Sequence, residues 1–157
     1  MSKPNVLRML SAARINYSVK EYPVDITDLS AVHAAEFLDM PSEQVFKTLV
    51  LQGASGKYFV CCIPAPAELD LKKTAKAAGE KNIELIPIKN IQPLTGYLRG
   101  GCSPIGMKKQ YPTFIDETSL LFETIGISAG ERGKQAVLSP NDLAAFIGAE
   151  FADLTRD

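Results

Sequence analysis

Hydrophobic positions recur along this chain with two spacings, one typical of helices and one typical of strands. Val6, Leu7, Leu10 and Ala13 have helical spacing, and Ser2 and Pro4 are typical of a helix start before them. Similar spacing, bounded by capping residues and glycines, predicts four further helices, within 30–38, 70–79, 91–95 and 139–148. In the first of these, His33 falls on the face opposite the alanines, so we expect it to be exposed.

Alternation and short apolar runs predict strands between these helices. The segments are 15–22, 45–51, 58–63, 84–88, 113–116, 120–122, 125–128 and 135–138. The turn at 53–56 makes a hairpin of the second and third strands. Because helices and strands do not alternate regularly, we predict a single α+β domain over residues 1–157. Its helices would flank one curved mixed sheet or partly closed barrel.

Composition excludes several classes of protein. The chain has 157 residues, of which 46% are hydrophobic, so it has the size and the apolar content of one packed domain. No apolar run approaches the ~20 residues that span a membrane. The start of the chain is too polar for a secretory signal, so we expect a cytoplasmic protein.

Metal, disulfide and nucleotide sites have no support in the sequence. The three cysteines form no CxxC pair and there is one histidine, which argues against a metal site. Cys61 and Cys62 are adjacent, so in a strand they would point to opposite faces. No glycine-rich nucleotide motif is present, and we expect no cofactor. The net charge of −1 implies that any RNA contact is local or shared with a partner protein.

Lys47 interrupts the apolar face that Val45, Leu49 and Leu51 form in the strand 45–51. A lysine there loses hydration unless its ammonium finds a partner or reaches water. It is either a strand-edge lysine that extends to solvent or a cation on the wall of a cleft. In a cleft it could hold a phosphate or polarise a carbonyl. The pattern alone favours the first interpretation.

A glycine-rich loop contains Gly100, Gly101, Cys102, Ser103 and Pro104. Its glycines permit a turn and the close approach of a ligand, and its backbone N–H groups could bind an anion. Ser103 could donate one more hydrogen bond, and Pro104 stiffens the exit. A purely structural turn is the simpler interpretation. Cys102 has no base near it in the sequence, which favours a passive residue over a nucleophile.

A second turn, at 128–133, separates two short strands. It contains Gly130, Arg132 and Gly133. Arg132 is either a solvated turn residue or, with Lys108 and Lys109, part of a surface that contacts RNA.

Together and in this order, these segments resemble the YbaK family, whose members are free-standing relatives of the editing domain of bacterial prolyl-tRNA synthetases. The resemblance extends over nearly the whole chain, and the order and spacing of the motifs make it specific. It rests on Val45-Phe46-Lys47-Thr48-Leu49, Leu69-Asp70-Leu71-Lys72-Lys73, Gly96-Tyr97, Gly100-Gly101-x-Ser103-Pro104-x-Gly106, Ala129-Gly130-x-Arg132-Gly133 and Phe151-Ala152-Asp153.

The resemblance implies a deacylase of mischarged transfer RNA, most typically of cysteine on the proline tRNA, with prolyl-tRNA synthetase as its implied partner. It makes Lys47 the essential pocket residue, places Tyr22 in the same pocket and assigns the aminoacyl end to the loop 100–104. Substrate contacts are also expected from Gly130, Arg132 and Gln135. In this family the substrate thiol attacks its own ester, so the cleavage is of hydrolase or lyase type and needs no protein nucleophile.

One position departs from the family pattern. Gln135 stands where well-known members have an acidic residue, which puts acid–base chemistry or charge pairing at that position in doubt. Two alternatives therefore stay open. One is an editing enzyme for alanyl- or seryl-tRNA, and the other is a module that binds aminoacyl-tRNA or a synthetase without catalysis.

Overall fold

Residues 5–157 contain five α-helices, three of which begin at a capping residue that the sequence marks. A computed structural model describes residues 5–157, so the helix start predicted at Ser2 and Pro4 lies outside the described residues. The helices are α1 (Asn5–Ala12), α2 (Ala31–Leu38), α3 (Leu71–Ala78), α4 (Ile91–Thr95) and α5 (Pro140–Ile147).

The helix ends are fixed by local hydrogen bonds and backbone angles. The side chains of Ser30, Asp70 and Ser139 each accept a hydrogen bond from the backbone N–H three residues later, at 3.1, 3.0 and 3.3 Å. Gly79 and Gly148 end α3 and α5 in the left-handed region, with φ of 71° and 68°. These caps were predicted from the sequence and are confirmed.

Within the same described residues, eight strands form two sheets. They are β1 (Tyr17–Glu21), β2 (Phe46–Gly53), β3 (Tyr58–Pro64), β4 (Ile83–Leu85), β5 (Thr113–Asp116), β6 (Ile125–Ser128), β7 (Lys134–Leu138) and β8 (Glu150–Ala152). The smaller sheet is antiparallel, with the order β1-β7-β6, and the larger is mixed, with the order β4-β2-β3-β5-β8. An isolated bridge between Val45 and Gly126 connects them. The α+β class is confirmed, and the sheets are open at their outer strands.

The larger sheet carries apolar side chains on both faces. Cys61 and Cys62, adjacent in β3, are both buried but belong to different core clusters. The Cys62 cluster includes residues of α1 and α5, and the Cys61 cluster includes Ala75 of α3. The expectation that the two cysteines point to opposite faces is therefore confirmed.

Several sequence predictions are wrong in detail. Residues 120–122 do not form a strand, because Asp116 accepts hydrogen bonds from the backbone and hydroxyl of Thr118 and begins a 3-10 helix, Glu117–Leu121. The apolar spacing of α3 predicts that Leu71, Ala75 and Ala78 pack on the core, but Leu71 is 39% exposed and Thr74 is buried instead. Ala13 is exposed beyond the end of α1. Strand β8 was missed because it is only three residues long and pairs with β5 far away in sequence.

Candidate functional site

A cavity of about 330 Å³ opens between the two sheets. Its walls come from the segment that joins β1 to α2, from the start of β2, from the glycine loop and from the ends of β6 and β7. The lining residues are Tyr22, Thr27, Asp28, Leu29, Ser30, Ala31, Ala34, Phe46, Lys47, Thr48, Leu49, Arg99, Gly100, Cys102, Ser128 and Gln135.

Lys47 extends from β2 into this cavity and is half-buried. Burial lowers the pKa of its ammonium, and the more distant charge of Glu68 opposes this shift. Within residues 5–157, no carboxylate forms a salt bridge with it. A cation that has lost water without gaining an anion is well suited to bind one.

Tyr22 follows β1 and is held by the turn at 128–133. Its backbone N–H donates to the carbonyl of Gly133 at 3.0 Å. Gly133 has a φ of 86°, and a Cβ on it would lie 3.0 Å from the carbonyl oxygen of Tyr22. A glycine is needed at 133 for this contact, which fixes the position of the tyrosine at the cavity.

The glycine loop packs directly on the same turn. A Cβ on Gly101 would lie 3.1 Å from the backbone N of Arg132 and 3.1 Å from the carbonyl carbon of Glu131. The guanidinium Nε of Arg132 donates to the carbonyl of Arg99 at 2.8 Å. The two loops therefore form one unit, and the glycine at 101 serves their close approach.

Ser103 and Pro104 lie beneath this unit. Both are buried, and the Ser103 hydroxyl accepts a hydrogen bond from the backbone N–H of Ile105 at 3.3 Å. Gly100 and Cys102 are the loop residues that line the cavity. Burial raises the pKa of the Cys102 thiol to about 11, so it is almost wholly protonated at neutral pH and is a poor nucleophile.

Gln135 lies deep in the cavity wall. It belongs to β7, the central strand of the smaller sheet, where it pairs with Ser128 of β6 and Lys20 of β1. Only 4% of its surface is exposed, and its Oε1 has no hydrogen-bond partner. Buried polar atoms are almost always paired, and this acceptor is one of three buried side-chain atoms without a partner within residues 5–157.

The expectation that His33 is exposed is wrong, because its side chain is only 14% exposed. Its ring contacts Phe37 at a centroid distance of 5.0 Å, and its Nδ1 lies 3.8 Å from a carboxylate oxygen of Asp28. The pattern along α2 could not show the contact with Asp28, since that residue belongs to the irregular segment before the helix. The pKa of Asp28 is lowered by hydrogen bonds from Ser30.

A family model described as an aminoacyl-tRNA editing domain matches residues 29–146. The chain belongs to this family. EbsC of Enterococcus faecalis, for which Cys-tRNA(Pro)/Cys-tRNA(Cys) deacylation has been proposed, is 42% identical over 98% of this chain and 93% of its own length. The proline–tRNA ligase of Nitrosomonas eutropha is 32% identical over 66% of this chain, a match that covers 18% of that ligase.

The fold of this editing domain is also that of a solved structure described as a proposed trans-editing enzyme for prolyl-tRNA synthetase. The TM-score is 0.82, the identity is 24%, and the match covers 99% of this chain and all of the other. The resemblance to the YbaK family is thus confirmed. No helix within residues 5–157 is long and apolar enough to cross a membrane.

The structure brings part of the expected site of the editing domain to the cavity surface. Tyr22, Lys47, Gly100 and Gln135 line it, while Arg132 lines a smaller adjoining cavity with Tyr22 and Gly100. The other expected residues support this surface from behind or beside it; they are Gly101, Ser103, Pro104 and Gly130.

Sequence reasoning missed several polar residues of the cavity, among them Asp28, Arg99 and Ser128. Arg99 directly precedes the glycine loop, and Ser128 begins the turn at 128–133. Their positions next to these two motifs could have indicated that they belong to the site. Asp28 belongs to an irregular segment with no periodicity, and nothing in the sequence marked it.

Proposed function

We propose that this editing domain is a trans-acting deacylase that removes cysteine from mischarged proline tRNA. The observation that carries the proposal is the unpaired ammonium of Lys47 in a cavity whose own thiol, Cys102, has a pKa of about 11. Such a site can orient and polarise an ester but lacks an activated nucleophile at Cys102. The similarity to EbsC supports cysteine as the substrate.

The size of the cavity supports a small amino acid. A volume of about 330 Å³ is at the low end of the range for small-molecule sites, so it has room for a small aminoacyl group and part of the terminal ribose. Tyr22 and residues 27–30 form part of the lining, so they also limit the size of the side chain that enters.

The chemical step we propose is internal to the substrate. The cysteine sulfur attacks the carbonyl carbon of its own ester, and the bond from that carbon to the ribose oxygen breaks. The proton lost by the thiol ends on the released ribose hydroxyl, so a four-membered thiolactone and deacylated tRNA are formed. Water then opens the thiolactone to free cysteine. Intramolecular attack of this kind can contribute about 7–11 kcal/mol when the reacting atoms are well oriented.

Lys47 would stabilise negative charge in this step. Its ammonium is already desolvated, so its interaction with the ester oxygen or the terminal phosphate is less screened than it would be in water. Tyr22 and the backbone of Gly100, which both line the cavity, would position the ribose and the ester.

The test measures release of labelled cysteine from Cys-tRNA(Pro) by the Lys47→Ala variant. We expect a loss of at least about 100-fold with the fold retained, since removal of one such group typically has this effect. Lys57→Ala, which removes an exposed lysine from the β2–β3 turn, is the matched control and should keep full activity. Retained activity in folded Lys47→Ala would refute the assigned role.

A panel of mischarged tRNAs separates the substrates. Under the thiol mechanism, the cysteinyl ester reacts, while seryl and alanyl esters on the same tRNA are stable. Release of alanine or serine at a comparable rate would instead require water or a ribose hydroxyl as the nucleophile. That result would favour the more general editing enzyme.

A non-catalytic binding module is the second candidate. The observation in its favour is Gln135, an amide that can form hydrogen bonds but cannot act as a general base. Binding of aminoacyl-tRNA without measurable turnover would support it.

Prolyl-tRNA synthetase is the partner we propose, because a net charge of −1 provides little general attraction for tRNA. Addition of the synthetase should then lower the concentration of tRNA that the deacylase needs.

A further inference from the structure

Gln135 has an amide acceptor that nothing in the described part of the chain satisfies. Its Oε1 is buried, has no partner and belongs to a residue that lines the cavity. Its backbone is fixed on both sides by pairing with Lys20 of β1 and Ser128 of β6. A desolvated acceptor on a fixed backbone favours a ligand that brings a donor and disfavours one that does not.

The charges around the cavity indicate which donor this is. Lys47 and Arg99 line it as cations, and Asp28 is the single carboxylate among the described lining residues. Asp28 is exposed, and its hydrogen bonds with Ser30 keep its pKa low. The carboxylate of Asp28 can compensate the positive charge of the substrate's α-ammonium group. At Gln135 the same group would be buried against a neutral amide, in a cavity that already contains the ammonium of Lys47.

The group at Gln135 is therefore a neutral donor. In an aminoacyl ester of small size, the neutral donors are a side-chain hydroxyl or thiol and the hydroxyls of the ribose. The ribose is attached to the rest of the tRNA, which has to remain at the open side of the cavity. The side chain is the part free to reach the buried amide.

We infer that Gln135 accepts a hydrogen bond from the side-chain thiol or hydroxyl of the edited amino acid. This inference rests on the proposed function, and it defines the substrate class as small amino acids with a side-chain donor. Amino acids in which a methyl group replaces the donor leave the amide unpaired. For cysteine, the same bond holds the sulfur in place before it attacks.

The test measures binding to tRNA(Pro) ending in 3′-amino-3′-deoxyadenosine, which carries the amino acid in an amide that is not cleaved. Seryl and cysteinyl forms are compared with the 2-aminobutyryl form, which has nearly the same shape but no donor. The wild-type protein should bind the first two at least about fivefold more tightly than the third, the lower limit expected for an unpaired buried acceptor. In Gln135→Met, this preference should fall below about twofold.

Gln52→Met is the matched control, because it makes the same substitution at an exposed position of β2. It should keep the wild-type preference. Equal binding of the seryl and 2-aminobutyryl forms by the wild-type protein would overturn the inference. It would also be overturned if Gln135→Met still bound the seryl and cysteinyl forms more tightly than the 2-aminobutyryl form. If no aminoacyl form binds better than the uncharged tRNA, the proposed function fails as well.

Discussion

Substitution of Gly101 by alanine tests whether the glycine loop and the turn at 128–133 form one unit. Gly101 has no left-handed φ, so alanine introduces no backbone strain of its own. The new Cβ would lie 3.1 Å from the backbone N of Arg132 and 3.1 and 3.2 Å from two backbone atoms of Glu131. Because these are main-chain atoms, a change of rotamer cannot remove the contact.

The magnitude follows from these distances. Ordinary contacts between heavy atoms lie at about 3.5–4.0 Å, so the two loops have to separate by about 0.5 Å. Overpacking of this size destabilises proteins by about 1–3 kcal/mol, and in a domain of this length each kcal/mol lowers the melting temperature by about 2–4 °C. Separation also moves Gly100 and Arg99 at the cavity, so deacylation should fall by about tenfold or more at a temperature where the variant is folded.

Urea unfolding measures the loss of stability, and cysteine release from Cys-tRNA(Pro) measures the loss of activity. Both are carried out at about 20 °C, where the variant is expected to be folded. Gly148→Ala is the control: its φ is 68° and no atom lies within 4 Å of the added Cβ. It should lose about 1–2 kcal/mol of stability through backbone strain alone and keep its activity. If Gly101→Ala unfolds at the wild-type urea concentration and deacylates normally, the two loops do not pack as one unit.

Three further predictions concern the charged and reactive groups of the cavity. Lys47→Met should raise the free energy of unfolding at neutral pH, because burial lowers the pKa of this lysine and so destabilises its protonated form in the folded state. Solvent screening of the half-buried ammonium limits the gain to about 1 kcal/mol or less, and a lower unfolding free energy in urea would contradict this. Alkylation of Cys102 by iodoacetamide, followed by peptide mass spectrometry, should accelerate with pH up to about 11, and a plateau below pH 9 would show that the thiol is not shifted. Arg99→Gln should reduce the salt dependence of tRNA binding by about one unit in the slope of log Kd against log salt concentration, and an unchanged slope would place Arg99 away from the phosphates.

Local structure was predictable where the determining atoms are close in sequence. The cap at Ser30 and the end of α3 at Gly79 each depend on a few neighbouring residues, and both were predicted. The strands β2 and β3 and the turn between them were predicted for the same reason. Errors occurred where a distant segment decides burial. His33 contacts Asp28, which lies outside the periodic pattern of α2, and β8 exists only because β5 provides its partner.

The sequence by itself determined the chemical groups of the candidate site and the family to which the chain belongs. Lys47, the two glycine-containing turns and the amide at Gln135 are all visible in it, since they depend on residue type and spacing. Which of these groups share a cavity was decided by the tertiary structure alone. Gly101 packs against the backbone of Arg132, while Gly100 reaches the cavity, because two loops about 30 residues apart in sequence have to fit together. The unpaired acceptor of Gln135 likewise arises only when β7 is enclosed by its neighbours, since burial and hydrogen bonding depend on atoms that are distant along the chain.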